Sequence, residues 1–234
     1  MARILLVHGA AHGAWCWRDT IPALAALGHE VRAIDLPSHG QDQTPVEDVT
    51  LDLYAQAILD ALDAPTVLVG HSMGGYPITR AAEIDNSNIT HLAYLCAYTP
   101  WPDLTLSQMR HQAPSQPLLP AIRRDGPVFT FDPDMAPDLF YHDCTPEQVA
   151  FALANVCPQA VAPSETTVAL TAASQDLPRG YIVCAQDGAI PPNFQRTMAE
   201  RFDPDHVYEL QTSHSPFFSA PQELAQIIDR ISKT

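Results

Sequence analysis

The sequence predicts an open α/β fold: a six-stranded, mainly parallel sheet flanked by helices, with a cap inserted between its fourth and fifth strands. Three observations carry that expectation. Six short, nearly continuous apolar runs read as strands buried on both faces. Helix-length amphipathic stretches separate most of them, which is the pattern of parallel crossover units. One long segment, rich in proline and aromatic residues, interrupts the alternation.

In chain order, the first strand is "RILLV" (3–7), with an amphipathic helix over Asp19–Leu27 behind it. "EVRAID" (30–35) is the second strand and Leu51–Leu62 its helix; "TVLVG" (66–70) is the third, followed by a helix over Met73–Ile84. "HLAYLCA" (91–97) is the fourth. From about Thr99 to Gln175 the chain carries many of its 22 prolines, in "TPWPD", "APSQPLLP" and "FDPDMAPDLF", beside Trp101, Phe129, Phe131 and Phe140. A stretch so long and so apolar is not a plain connection. It is expected to fold over one end of the sheet, with a helix at Pro146–Val156 that Thr145 caps. The sheet resumes with "GYIVCA" (180–185), a helix over Asn193–Phe202, the strand "HVYEL" (206–210) and a last helix over Pro221–Ile231. The core is thus residues 1–99 and 176–234, and the cap residues 100–175.

Composition narrows the partners. At 234 residues, 46% hydrophobic and 17% charged, the chain suits one globular domain with a full core. Twelve Lys and Arg against 27 Asp and Glu give a net charge of −15, a field that repels nucleic acid and disfavours anionic substrates held by bulk electrostatics. No apolar run is long enough to span a bilayer, and "MARILLVHGAAHG" does not read as a secretory signal, so a cytoplasmic protein with no membrane partner is expected. The five cysteines are odd in number and show no CxxC pair, which points to neither a zinc site nor a disulfide framework. Cys16 is the one to follow, because its loop lies near the site argued below.

In "TVLVGHSMGGYP", Gly70, Ser72 and Gly74 form G-x-S-x-G between a strand and a helix. A tight turn there forces the serine into a strained backbone, and the glycines two positions either side relieve crowding from neighbouring chain. The serine oxygen then stands clear at the carboxyl end of the sheet, above a helix N-terminus. A serine hydroxyl needs a base, and the base needs an orienting partner. In a parallel sheet both must come from loops at the carboxyl ends of strands. That rule prunes the ten histidines. His29 and His206 precede strands and His91 opens one, whereas His214 follows the last strand in "QTSHSPFFSAPQEL". Among the acids, Asp176, Asp203 and Asp205 precede strands, while Asp187 directly follows "GYIVCAQ". Ser72, Asp187 and His214 are therefore the expected catalytic set. The oxyanion hole needs two backbone N–H groups, expected from Met73 and, in "VHGAAHGAW", from Ala10. His8 and Gly9 shape that loop, His12 fixes it, and His71 packs inside the elbow.

At these residues the chain resembles the α/β-hydrolase superfamily, and more closely its branch of plant methylesterases and hydroxynitrile lyases, as a bacterial-type esterase would. The stretches that carry the likeness are "LLVHGAAHGAWCWRDTIPAL", "GHEVRAIDLPSHG", "VLVGHSMGG" and "GYIVCAQDGAIPPNFQRTMAERF", about half of the chain. The middle segment matches only in being a cap of similar extent. The resemblance implies the α/β-hydrolase fold, a triad at Ser72, Asp187 and His214, oxyanion donors at Ala10 and Met73, and neither cofactor nor metal. Lyases of this branch carry a threonine after the loop histidine and a lysine after the catalytic one; here those positions are Gly9 and Ser215. A leaving cyanide would lack its cation. The expected activity is therefore a serine carboxylesterase acting on small to medium neutral esters, whether short-acyl, aryl or methyl. Gly9, Trp15, Trp101 and Phe217 are the expected substrate contacts. Behind that reading stand another triad hydrolase (lactonase, amidase or carbamate hydrolase), then a lyase, and last a hydrolase-fold ligand receptor. A homodimer is compatible with the sequence.

Overall fold

In the computed structural model, which describes residues 1–234, alternate residues of strand β1 (Arg3–Val7) feed two separate cores. Leu5 and Val7 join the cluster on one face of the sheet, Ile4 and Leu6 the cluster on the other. A strand buried on both faces has no polar side to show, which is why its sequence is a continuous apolar run. The same division holds in β3 (Thr66–His71), where Leu68 faces one core and Val67 and Val69 the other.

The chain runs from β1 through α1 (Thr20–Ala26), β2 (Glu30–Ile34) and α2 (Leu51–Asp60) to β3, then α3 (Gly75–Ile84) and β4 (Ile89–Leu95). After an excursion of short elements, α4 (Leu106–Arg110), β5 (Ile122–Asp125), β6 (Val128–Phe131), α5 (Ala136–Phe140), α6 (Pro146–Asn155), β7 (Gln159–Ala160) and α7 (Ala172–Gln175), it returns to the sheet. It ends with β8 (Arg179–Cys184), α8 (Pro192–Ala199), β9 (Val207–Leu210), α9 (Pro216–Ser219) and α10 (Pro221–Ile231). The main sheet has the order β2-β1-β3-β4-β8-β9, and every neighbouring pair is parallel. The expected sheet was mainly parallel; the observed one is entirely so. No helix is long and apolar enough to cross a membrane.

Strand order reverses between β1 and β3, and an open parallel sheet offers a crevice at the carboxyl ends of such a pair. The register sets Val7 beside Gly70, so the loops leaving these two strands start side by side. Residues 8–12 and residues 72–74 thereby leave the sheet side by side, although sixty or more positions separate them in the chain.

The excursion builds a second sheet, β5-β6-β7, all antiparallel. Its strands have two to four residues, and β5 ("IRRD") is mostly exposed, so no hydrophobic period marks it in the sequence. Helix α6 matches its expected place, with Thr145 and Gln148 closing a reciprocal capping box. Gln159 in β7 fixes the excursion to the core. Its Oε1 accepts from the Ala11 N–H (3.0 Å), and its Nε2 donates to the Tyr54 hydroxyl (3.0 Å) and the Ala160 carbonyl (3.1 Å). Cys157 N–H donates to the Ala11 carbonyl at 3.0 Å, so both backbone groups of Ala11 are held by this segment.

Candidate active site

Ser72 sits at the end of β3 with φ of +54°, a left-handed conformation that a residue with a Cβ adopts only under constraint. The constraint is visible in its neighbours. A Cβ on Gly70 would lie 2.6 Å from the Gly74 carbonyl oxygen, and one on Gly74 would lie 2.9 Å from the His8 carbonyl oxygen and 3.0 Å from that of Val7. The chain can turn this sharply against β1 only where those side chains are missing. The turn itself, Ser72–Gly74, is a single tight 3-10 turn, so α3 begins two residues later than the sequence pattern implies. The Tyr98 N–H donates to the Ser72 carbonyl at 3.0 Å and ties the elbow to the end of β4.

His214 and Asp187 meet in the loops after β9 and β8. Nδ1 of His214 lies 2.6 Å from Oδ2 of Asp187. The same Oδ2 accepts from Gln195 Nε2 at 2.8 Å, and Oδ1 accepts from the Ala189 and Ile190 N–H groups at 2.7 and 2.8 Å. Four donors surround this buried side chain, which is the environment of a carboxylate. The His214 proton therefore sits on Nδ1, and Nε2 is left as an acceptor. The His214 carbonyl oxygen receives His71 Nε2 at 2.9 Å, with the Cys96 thiol at 3.7 Å. Ser72 and His214 line one cavity, though no hydrogen bond joins them here.

The Gly9–Ala10 peptide is fixed from behind. His8 Nδ1 donates to the Gly9 carbonyl at 2.8 Å while its Nε2 accepts from the Leu36 N–H at 3.0 Å. Burial, with the His39 ring beside it, holds His8 well below its usual pKa, so the neutral tautomer persists. The peptide's N–H, on Ala10, points opposite to that carbonyl. Ala10 and Met73 both line the cavity. His12 braces the next peptide: its Nδ1 donates to the Ala10 carbonyl at 2.8 Å, and the Tyr141 hydroxyl donates to its Nε2 at 2.7 Å. Burial pushes His12 down to about 4.

The cavity opens between the sheet end and the excursion and takes in about 850 Å³ with its solvent-filled mouth included, with Leu118, Phe129, Phe131, Phe140 and Val161 among its apolar walls. None of the four expected substrate contacts lines it. Gly9 lies beneath, where a Cβ would meet His71 Nδ1 at 2.8 Å and the Ser72 Cβ at 2.9 Å. Trp15 stacks on His12 (5.2 Å between ring centres) and meets Phe151 of α6 edge-on, as packing between the loop and the excursion. Trp101 packs against Phe194. Phe217 is wholly buried against Trp17 and His71. Trp15 and Phe217 adjoin the catalytic loops in sequence and Trp101 opens the cap, but each packs against other rings rather than facing the cavity. Cys16 is likewise in the core, its thiol pushed up by burial.

Gln195 and Gln159 were missed. Each is a fully buried amide among apolar neighbours, and a lone glutamine on the apolar stripe of helix 192–199 was the available signal for the first. The only grouping of metal-ligand atoms is His71, Cys96 and His214, within 4.8 Å of one another. His71 and Cys96 are engaged on the His214 carbonyl and His214 Nδ1 on Asp187, so the trio reads as packing around His214.

Comparison with known proteins identifies the family. Residues 4–227 match the family described as the alpha/beta hydrolase family. Methylesterase 7 and Methylesterase 9 of Arabidopsis thaliana are 31% and 32% identical to the chain, over 98% and 100% of its length and 96% and 98% of theirs. Among solved structures, a pyrethroid hydrolase from Sphingobium faniae JZ-2 superposes with a TM-score of 0.88 at 27% identity, covering 100% of this chain and 98% of that one. The chain belongs to the α/β-hydrolase family, on the branch that holds the plant methylesterases.

Proposed function

We propose that this hydrolase of ester bonds is a serine carboxylesterase working through Ser72, His214 and Asp187 and a covalent acyl-enzyme. The observation that carries the reading is the pairing of a left-handed Ser72 at a glycine-relieved elbow with a His214 whose Nδ1 is committed to Asp187, both facing one cavity. His214 Nε2 takes the Ser72 proton as the hydroxyl oxygen attacks the ester carbonyl carbon. The carbonyl oxygen gains negative charge, and the Ala10 and Met73 N–H groups receive it. Collapse breaks the bond to the alkoxy oxygen, which leaves as alcohol with the proton from His214. Water, deprotonated by the same nitrogen, then attacks the acyl-serine, and the acid departs as Ser72 recovers its proton.

Relatives named as methylesterases and a structural neighbour named as a pyrethroid hydrolase support an ester substrate of small to medium size. The apolar cavity walls suit alkyl or aryl groups. Beside His214 stands Ser215, fully buried, rather than a cation that could hold a leaving cyanide. Hydrolysis of p-nitrophenyl esters from acetate to octanoate, by the wild type and Ser72→Ala in parallel, tests the reading. Loss of all turnover in the variant supports it, and equal turnover contradicts it.

A further inference from the structure

The cavity wall that belongs to the excursion carries charge of the opposite sign to the molecule. Arg110, Arg124 and Glu165 are the charged residues lining it, which gives +1 locally in a chain of net charge −15. Arg124 is already paired, at 3.0 Å from Glu165. Arg110 is not. Its guanidinium makes no ion pair and no hydrogen bond to the protein, and its Nε is buried without a partner. Seven of the eleven arginines pair with a carboxylate; Arg110, Arg179, Arg201 and Arg230 do not, and of those four only Arg110 lines the cavity.

Arg110 is held in place rather than loosely exposed. Helix α4 is anchored by buried Leu106 and Met109 and closed by a capping box between Thr105 and Gln108. Leu106, four residues before Arg110, shares its helix face and also lines the cavity. Gln116 Nε2 donates to the Arg110 carbonyl at 2.7 Å and fixes the turn that follows. Tyr98, whose backbone N–H holds the Ser72 carbonyl, lines the same cavity. Burial raises the Tyr98 phenol and the Arg110 charge draws it down, which puts Arg110 within electrostatic reach of the residue beside the nucleophile. A guanidinium presents up to five donors in a planar fork that matches a carboxylate.

We infer that Arg110 is a specificity-determining residue that binds a carboxylate carried by the ester substrate, so that the preferred substrates are half-esters or other carboxylate-bearing esters. The inference rests on the esterase reading and departs from the neutral-ester expectation. That expectation came from the charge of the whole chain, whereas the cavity wall has its own sign. The substrate's ester group lies at Ser72 and its carboxylate reaches the guanidinium, supplying the acceptor that the protein withholds.

The test compares monomethyl with dimethyl esters of the straight-chain dicarboxylic acids from succinate to adipate. The expected result is a higher kcat/KM for the half-ester at one or more chain lengths, with the half-ester to diester ratio falling roughly ten- to hundredfold in Arg110→Gln. Arg110→Lys should restore part of that ratio, since it keeps the charge and loses the fork. A wild-type ratio at or below one at every length, or a ratio unchanged in Arg110→Gln, overturns the inference while diester hydrolysis leaves the esterase reading standing. If neither ester is cleaved, the esterase reading fails, and calorimetric binding of glutarate and adipate decides the Arg110 question separately. Tighter binding to the wild type than to Arg110→Gln supports the carboxylate site, and equal or absent binding overturns it.

Discussion

Asp187 and His214 lie 27 residues apart in the chain and 2.6 Å apart in the fold, with Asp187 Oδ2 on His214 Nδ1. The contact decides which imidazole nitrogen is free to act. Because β8 and β9 are parallel neighbours, the loops after them emerge at the same end of the sheet, and the pair needs no further device to meet. Asp187→Asn replaces one acceptor by a donor and admits the wrong tautomer. The expected loss in kcat is about 10³–10⁴-fold with little change in KM, read from steady-state kinetics on a p-nitrophenyl ester. A loss below tenfold would remove Asp187 from the mechanism.

The elbow makes a second prediction. Gly74→Ala would place a methyl 2.9 Å from the His8 carbonyl oxygen and 3.0 Å from that of Val7, backbone atoms at the end of β1 that cannot swing away. Relief requires β1 and β3 to part at the end that carries Ala10 and Met73, both of which line the cavity. Activity should fall at least tenfold, and thermal unfolding should show a destabilisation of roughly 1–3 kcal/mol. A fully active, equally stable variant would mean that the elbow tolerates the separation.

What the sequence made legible follows from period and order. Strands β1, β3 and β8 are buried on both faces, so apart from their end residues they are apolar runs and their positions could be read directly. Ser72, Asp187 and His214 could be placed because each follows a strand, and parallel topology sends all such loops to one end. The walls of the cavity could not be read this way. They come from β5, β6 and α4, short elements with no period, and from which side chains burial pulls inward. Trp15 and Phe217 lie beside the catalytic loops in sequence yet pack behind them, while Arg110 and Phe129, far from any motif, face the cavity.

Gln159 predicts how firmly the excursion is attached. Gln159→Leu would leave the Ala11 N–H and the Tyr54 hydroxyl buried without partners. The expected destabilisation is about 2–4 kcal/mol, measured by urea unfolding, with a fall in kcat because Ala11 adjoins Ala10, the proposed oxyanion donor. Unchanged stability would show that this amide does not hold the two parts together.

Three buried histidines set the acid limit of stability. Burial holds His8 and His71 well below the usual histidine value of about 6.5, and His12 at about 4. In the unfolded chain each takes up a proton below about pH 6.5. Between that pH and the folded pKa the unfolded state binds more protons, so stability falls as pH falls. His12 alone should remove about 3 kcal/mol by pH 4. Thermal unfolding from pH 7.5 to pH 4.5 should show Tm level above pH 7 and declining from about pH 6.5. A Tm level down to pH 5 would contradict the neutral assignment of these rings.

The central claim is that Ser72 is the nucleophile, and covalent labelling tests it most directly. The wild type is treated with a fluorophosphonate and examined by intact-mass spectrometry and peptide mapping, beside Ser72→Ala and His214→Ala. The account predicts one adduct per chain on Ser72, none in Ser72→Ala, and labelling slowed by orders of magnitude in His214→Ala. An adduct on another residue, or labelling that survives in Ser72→Ala, would contradict it.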